Sequence, residues 1–141
     1  MVTSSSLFIL DTSILVDYLR TGQHQDRVDS LAGIVRISAV VLAELWRGAN
    51  KPAERAYLRT LEKSHPALAP SKQNWLDSGE LLGQMRQDRG FTPEKLRNLH
   101  FDVLIALTAR SHGARLVTSD RSDFELIASY RAAKGLSLEI W

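Results

Sequence analysis

The chain has 141 residues, a length that suits one domain burying roughly 68–70% of the surface its unfolded chain exposes. With no cysteine it can form neither a disulfide nor a thiolate metal site. No apolar run approaches the ~20 residues of a membrane span, and residues 1–6 carry no secretory signature, so a cytoplasmic protein is expected. Eighteen basic against sixteen acidic residues leave a net charge of +2, which excludes little.

Residues 7–10 (Leu-Phe-Ile-Leu) read as a short strand buried on both faces, broken abruptly by Asp11. Ile14, Leu15, Tyr18 and Leu19 then repeat at helical spacing, which predicts a helix over 13–20. A polar loop leads to a short helix over 26–32, with Gly33 as its C-terminal cap. The β-branched run 34–37 predicts a second strand, Ser38 an N-cap, and 39–47 a helix that carries Glu44 in its second turn and ends at Gly48. Pro52 suits the first turn of a helix over 52–63, with Tyr57, Leu58 and Leu61 inward. Residues 65–70 read as a loop holding a brief extended piece.

Ser71 is expected to cap a helix running to Arg89 and closed by Gly90. Trp75, Gly79 and Leu82 would share a stripe on it, with Gly79 and Gly83 admitting a close neighbour. Thr92-Pro93-Glu94 marks a separate short helical turn, after which Asp102 opens an apolar helix over 103–111 ended by Gly113. Residues 115–118 form a third strand, followed at once by Ser119-Asp120. Ser122-Asp123-Phe124-Glu125 fits a capping box, with a helix to about 132 and a last alternating strand over 136–141. No repeat or linker interrupts this order, so one α/β domain over 1–141 is expected.

Asp11 and Asp120 each follow a strand and belong at the carboxyl edge of a sheet, where open α/β folds bind ligands. Right-handed crossovers bring helix N-termini to that same edge. Glu44, and Asp102 in a dipole-favoured first turn, are therefore expected to meet them there. Two carboxylates ~5 Å apart repel by roughly 3 kcal/mol at an effective dielectric of ~20, so their convergence calls for a cation. Oxygen-only ligands suit Mg²⁺ or Mn²⁺, which activate water and stabilise charge on a phosphoryl oxygen. With Asp11, Glu44, Asp102, Asp120 and Asp123 gathered in one pocket, eighteen basic residues face the eleven remaining acids, a balance of +7 that suits a polyanionic substrate. Taken singly, each acid also has a structural use: turn or cap for Asp11 and Asp120, helix acid for Asp102 and Asp123, a partner of Arg47 for Glu44.

Four blocks carry a wider likeness. They are Leu10-Asp11-Thr12-Ser13; Ser38-Ala39-Val40-Val41-Leu42-Ala43-Glu44 with Gly48; Asp102-Val103-Leu104-Ile105-Ala106 with Ala109; and Leu116-Val117-Thr118-Ser119-Asp120 with Asp123-Phe124. In this order the chain resembles the PIN-domain ribonucleases, most closely the VapC-type toxins of bacterial toxin–antitoxin pairs, over essentially its whole length. The resemblance implies a three-layer α/β/α fold around a mainly parallel sheet and Mg²⁺- or Mn²⁺-dependent endoribonuclease chemistry. Asp11, Glu44, Asp102 and Asp120 match the family's acidic positions. Asp11, Asp102 and Asp120 would be the metal ligands, and Glu44 would help orient the attacking water. Thr12 and Thr118 match hydroxyls lining such sites, and Asp123 is a supporting acid. The family further implies a homodimer and a small VapB-like antitoxin whose tail blocks the acidic pocket. Trp46, Tyr57, Leu58 and Leu61 offer an apolar surface for that partner, or core.

His24, His65, His100 and His112 show no metal-ligand spacing. Arg47, Arg86, Arg89, Arg97 and Arg121 are candidates for RNA phosphate contacts. A non-catalytic RNA-binding or adaptor protein with the same fold is the alternative reading. A phosphoacceptor domain would want a second acid two residues after Asp11, where this chain has Ser13.

Overall fold

A computed structural model describes residues 6–141; the amino-terminal segment, read above for a secretory signal, lies outside the described residues apart from Ser6. Five strands form one sheet in the order β3-β2-β1-β4-β5, and every pair is parallel. The strands are β1 (Ser6–Leu10), β2 (Gly33–Ser38), β3 (Ala67–Leu68), β4 (Arg115–Thr118) and β5 (Ser137–Ile140). Among the described residues seven α-helices flank the sheet: α1 (Thr12–Thr21), α2 (Gln25–Asp29), α3 (Ala39–Gly48), α4 (Pro52–Ser64), α5 (Lys72–Arg89), α6 (Pro93–Ser111) and α7 (Arg121–Ala128). The result is the expected α/β/α arrangement.

The chain starts at the sheet's centre, builds outward through β2 and β3, then returns to add β4 and β5 on the other side of β1. The reversal leaves a crevice at the carboxyl ends of β1 and β4, the position where open parallel sheets bind ligands. Asp11 and Asp120 follow those two strands. Ile9, Leu10, Leu116 and Val117 are buried, as expected for strands covered on both faces.

Local signals were followed closely in several places. Gly22 ends α1 with a left-handed φ of 70°. Ser38 Oγ accepts from Val40 N–H at 3.1 Å and starts α3. Ser71 and Asn74 form a reciprocal capping box on α5, which Gly90 closes.

Four expectations are corrected. Gly33 is not a helix cap: it is the first residue of β2, paired with Ser6, where a Cβ would meet the Ser6 carbonyl oxygen at 2.2 Å. The strands, not a helix end, require the glycine. On α5 the buried face is Asn74, Ser78, Leu81, Leu82 and Met85, while Trp75 is half exposed and nothing approaches Gly79 or Gly83 within 4 Å. Residues 93–111 form a single helix, α6, capped by Thr92 Oγ1 accepting from Lys95 N–H at 3.1 Å. Asp102 therefore sits in mid-helix, beyond the reach of the N-terminal dipole. Finally, α7 is capped by Asp120, whose Oδ1 accepts from Asp123 N–H at 3.2 Å, and not by Ser122; it ends at Ala128, before a 3₁₀ turn.

Candidate metal centre

Asp11 follows β1 at the N-cap of α1 and is 3% exposed. Its Oδ2 accepts from Ser13 Oγ and from Thr118 Oγ1, both at 2.9 Å, tying the start of α1 to the end of β4. Thr118 Oγ1 also accepts from Asp120 N–H at 3.0 Å, and Ser13 Oγ from Ser119 N–H at 3.2 Å. Two hydroxyls thus lock both strand ends together around one carboxylate oxygen. The other oxygen, Asp11 Oδ1, is buried without a hydrogen-bond partner. A buried acceptor left open costs about 1–3 kcal/mol, more if charged, unless something occupies it.

Carboxylate oxygens of Asp102, Asp120 and Asp123 lie within 4.8 Å of one another. Burial first, then the charges of Asp11, Glu44, Asp120 and Asp123, push Asp102 up to about 8. Burial, with Asp123 and Asp11 nearby, also raises Asp120. Glu44 is raised by burial and by Asp11, opposed by the hydrogen bond it accepts from Thr12 Oγ1 at 2.8 Å and by Arg47. Asp102 thus lies within electrostatic reach of the other four acids expected to converge. Mutual proximity selects Asp123 beside Asp102 and Asp120, with Asp11 adjoining at a more buried level. An oxygen-only donor set with one open buried acceptor, four carboxylates and a protonated aspartate fits a hard divalent cation, since such an ion would let Asp102 ionise.

Arg47 lies over the Phe101 ring at 5.8 Å, and Arg121 pairs with Glu125 at 2.8 Å. Arg86, Arg89 and Arg97 are exposed on α5 and α6. Two contributors escaped the sequence reading. Ser13, quoted only as part of a motif, orients Asp11. Lys95 Nζ stands 3.6 Å from Asp123 Oδ1 as the site's own cation. Lys95 and Asp102 are seven apart on α6, hence on one face, a spacing hidden once the helix is divided. A groove of about 680 Å³ leads from Thr12 and Glu44 between α1, α3 and α4, past Val16, Leu45 and Tyr57. Leu58 and Leu61 are core residues, and Trp46 and Tyr57 pack on that core half-buried.

The PIN domain model matches residues 8–129, and the chain belongs to that family. Its fold is similar to those in solved VapBC structures. The VapBC2 complex of Rickettsia felis bound to a promoter DNA fragment shares 25% identity at a TM-score of 0.73, covering 96% of this chain and 98% of the other. DNA-bound VapBC from Salmonella typhimurium and VapBC-1 from nontypeable Haemophilus influenzae each share 24% identity over the same fractions, at TM-scores of 0.72 and 0.71. No curated protein matches the chain by sequence. Among the described residues no helix is long and apolar enough to cross a membrane.

Proposed function

We propose that the chain is the toxin of a toxin–antitoxin pair, an endoribonuclease that hydrolyses phosphodiester bonds at a Mg²⁺ or Mn²⁺ ion held by these acids. The observation that carries this reading is geometric: carboxylate oxygens of Asp102, Asp120 and Asp123 lie within 4.8 Å of one another, beside the buried, unpartnered Oδ1 of Asp11. A carboxylate cluster of that kind is a liability in the metal-free chain and an asset once a cation is bound. Asp102, Asp120 and Asp123 would hold the ion together with the open Oδ1 of Asp11. A cation held there would supply the charge that lowers the pKa of a water and offsets charge on the phosphoryl oxygen. Glu44, which accepts a hydrogen bond from Thr12, would accept another from the attacking water. Ser13 and Thr118 keep Asp11 oriented, and the Lys95 ammonium can meet a phosphate at the rim.

The groove ending at Thr12 and Glu44, lined by Val16, Leu45 and Tyr57 and by Arg20, Lys51 and Glu54, suits the tail of a VapB-like antitoxin, in keeping with the complexes formed by the structural neighbours. A homodimer in the cytoplasm completes the reading.

The test is Asp11→Asn. The variant keeps an acceptor for Ser13 and Thr118, so it should remain folded by circular dichroism while RNA cleavage in Mg²⁺ or Mn²⁺ disappears, as it does for the wild type in EDTA. Cleavage surviving in EDTA would overturn the metal-dependent mechanism, and a wild-type protein that binds RNA with metal yet never cuts it would replace the nuclease by the adaptor reading.

A further inference from the structure

A second pocket, of about 590 Å³, lies beside the acids and falls within the ~300–1,000 Å³ range of ligand sites. Asp17 of α1, His24, Asp26 and Arg27 at the start of α2, Ser119 and Trp141 line it. Ser119 directly precedes Asp120, and Trp141 N–H donates to the carbonyl oxygen of Thr118 at 2.8 Å, extending the β4–β5 pairing. The pocket floor is thus continuous with the residue that holds Asp11.

These walls are assembled at the expense of local comfort. The His24 ring lies 5.5 Å from the Trp141 ring, tilted by 39°, and the Arg27 guanidinium stands 5.7 Å from the same indole. The His24 side chain is only 7% exposed, yet its Nε2 has no hydrogen-bond partner; Asp17 Oδ2 is 3.6 Å away. Among the described residues, His24 alone of the non-glycines has a left-handed backbone, φ 70°, a strained setting that persists only where its surroundings enforce it. Trp141 packs against the edge of the core, whereas Asp26 and Arg27 are exposed and Asp17 is half-buried, so these three lie outside it.

We propose that this pocket receives one unpaired nucleobase of an RNA strand whose neighbouring phosphodiester lies at the acids, stacked on Trp141 and read at its amino edge by Asp17 and Asp26. The proposal rests on the nuclease reading for its substrate. An indole with an arginine above it is the sequence-tolerant stacking platform of single-strand binders. Arg27 is exposed, so a base can take its place over the ring while the guanidinium moves to the base's outer face or to a flanking phosphate. Asp17 and Asp26 repel a phosphate seated in the pocket itself but accept from exocyclic amino groups, as acidic side chains do from cytosine. Adenine, cytosine and guanine offer such a donor; uracil does not.

The experiment uses ¹⁵N-labelled full-length protein in EDTA, titrated with the four nucleoside 5′-monophosphates, with inorganic phosphate, and with single-stranded RNA decamers. The Trp141 indole N–H signal is identified from Trp141→Phe. AMP, CMP and GMP are expected to move that signal while Trp75 stays still, with UMP weaker and phosphate without effect. Trp141→Ala should weaken decamer binding tenfold or more, the Phe variant less than threefold, and Asp17→Asn or Asp26→Asn should erase the preference over UMP. An unmoved Trp141, or a shift by phosphate as large as by nucleotides, overturns the proposal; should the Ala variant unfold, the Phe variant and the titrations still decide. Cleavage with an unmoved Trp141 removes the base pocket and keeps the nuclease. Base binding without cleavage under Mg²⁺ does the reverse.

Discussion

Replacing Asp102 with asparagine should stabilise the metal-free protein at alkaline pH while destroying its activity. In the folded chain Asp102 keeps its proton to about pH 8, whereas an unfolded aspartate loses it near 3.8. Between those values the folded state holds the extra proton, so stability falls as pH rises, and above pH 8 the full penalty is in place. At about 1.4 kcal/mol per pKa unit, the upper limit is roughly 5–6 kcal/mol. Asp102 is partly solvated, which reduces this to about 3 kcal/mol. One carboxylate pair near 4.8 Å gives a similar figure, about 3 kcal/mol at a dielectric of ~20. For a chain of this length that is a gain of roughly 10 °C in Tm. Thermal unfolding in EDTA at pH 4, 7 and 9 should show Asp102→Asn and wild type nearly level at pH 4 and progressively separated towards pH 9, the gap closing when Mg²⁺ is added. Parallel pH slopes for the two proteins in EDTA would refute the argument that Asp102 carries this burden.

Four further substitutions probe other parts of the structure. Gly33→Ala drives a Cβ into the Ser6 carbonyl across the β1–β2 pairing, and urea unfolding should report a loss of about 2 kcal/mol or more. Gly79→Ala and Gly83→Ala meet open space on α5 and should each add about 0.5–1 kcal/mol by the same measurement. Thr12→Val removes the only side-chain hydrogen bond that Glu44 accepts among the described residues; RNA cleavage should fall about tenfold with Tm changed by less than a few degrees.

The strands and the acids were legible in the sequence because both are written locally. β4 occupies the residues its apolar run marks, and Asp11 and Asp120 follow their strands by one and two residues. The helix bearing Asp102 was misjudged because its two halves have different surroundings. Residues 93–98 lie at the surface and read as a separate polar turn, while 103–109 are wholly buried and carry no amphipathic period. Asp120 and Ser122 are both acceptable caps two residues apart, and only the fold chooses between them. Gly33 looks like a cap until register sets it against Ser6. His24 and Trp141 meet only through the sheet's outer edge, at a separation no local pattern spans.

The mid-helix position of Asp102 also bears on how the site breathes. Residues 103–109 are each 0–1% exposed, and their amides are bonded within the longest helix of the described chain. Such amides exchange with solvent through opening of the whole core, not through fraying. The aspartate next to them is held as firmly as that core. On the proposed reading, control of the acids then falls to what covers them and not to local unfolding of this helix.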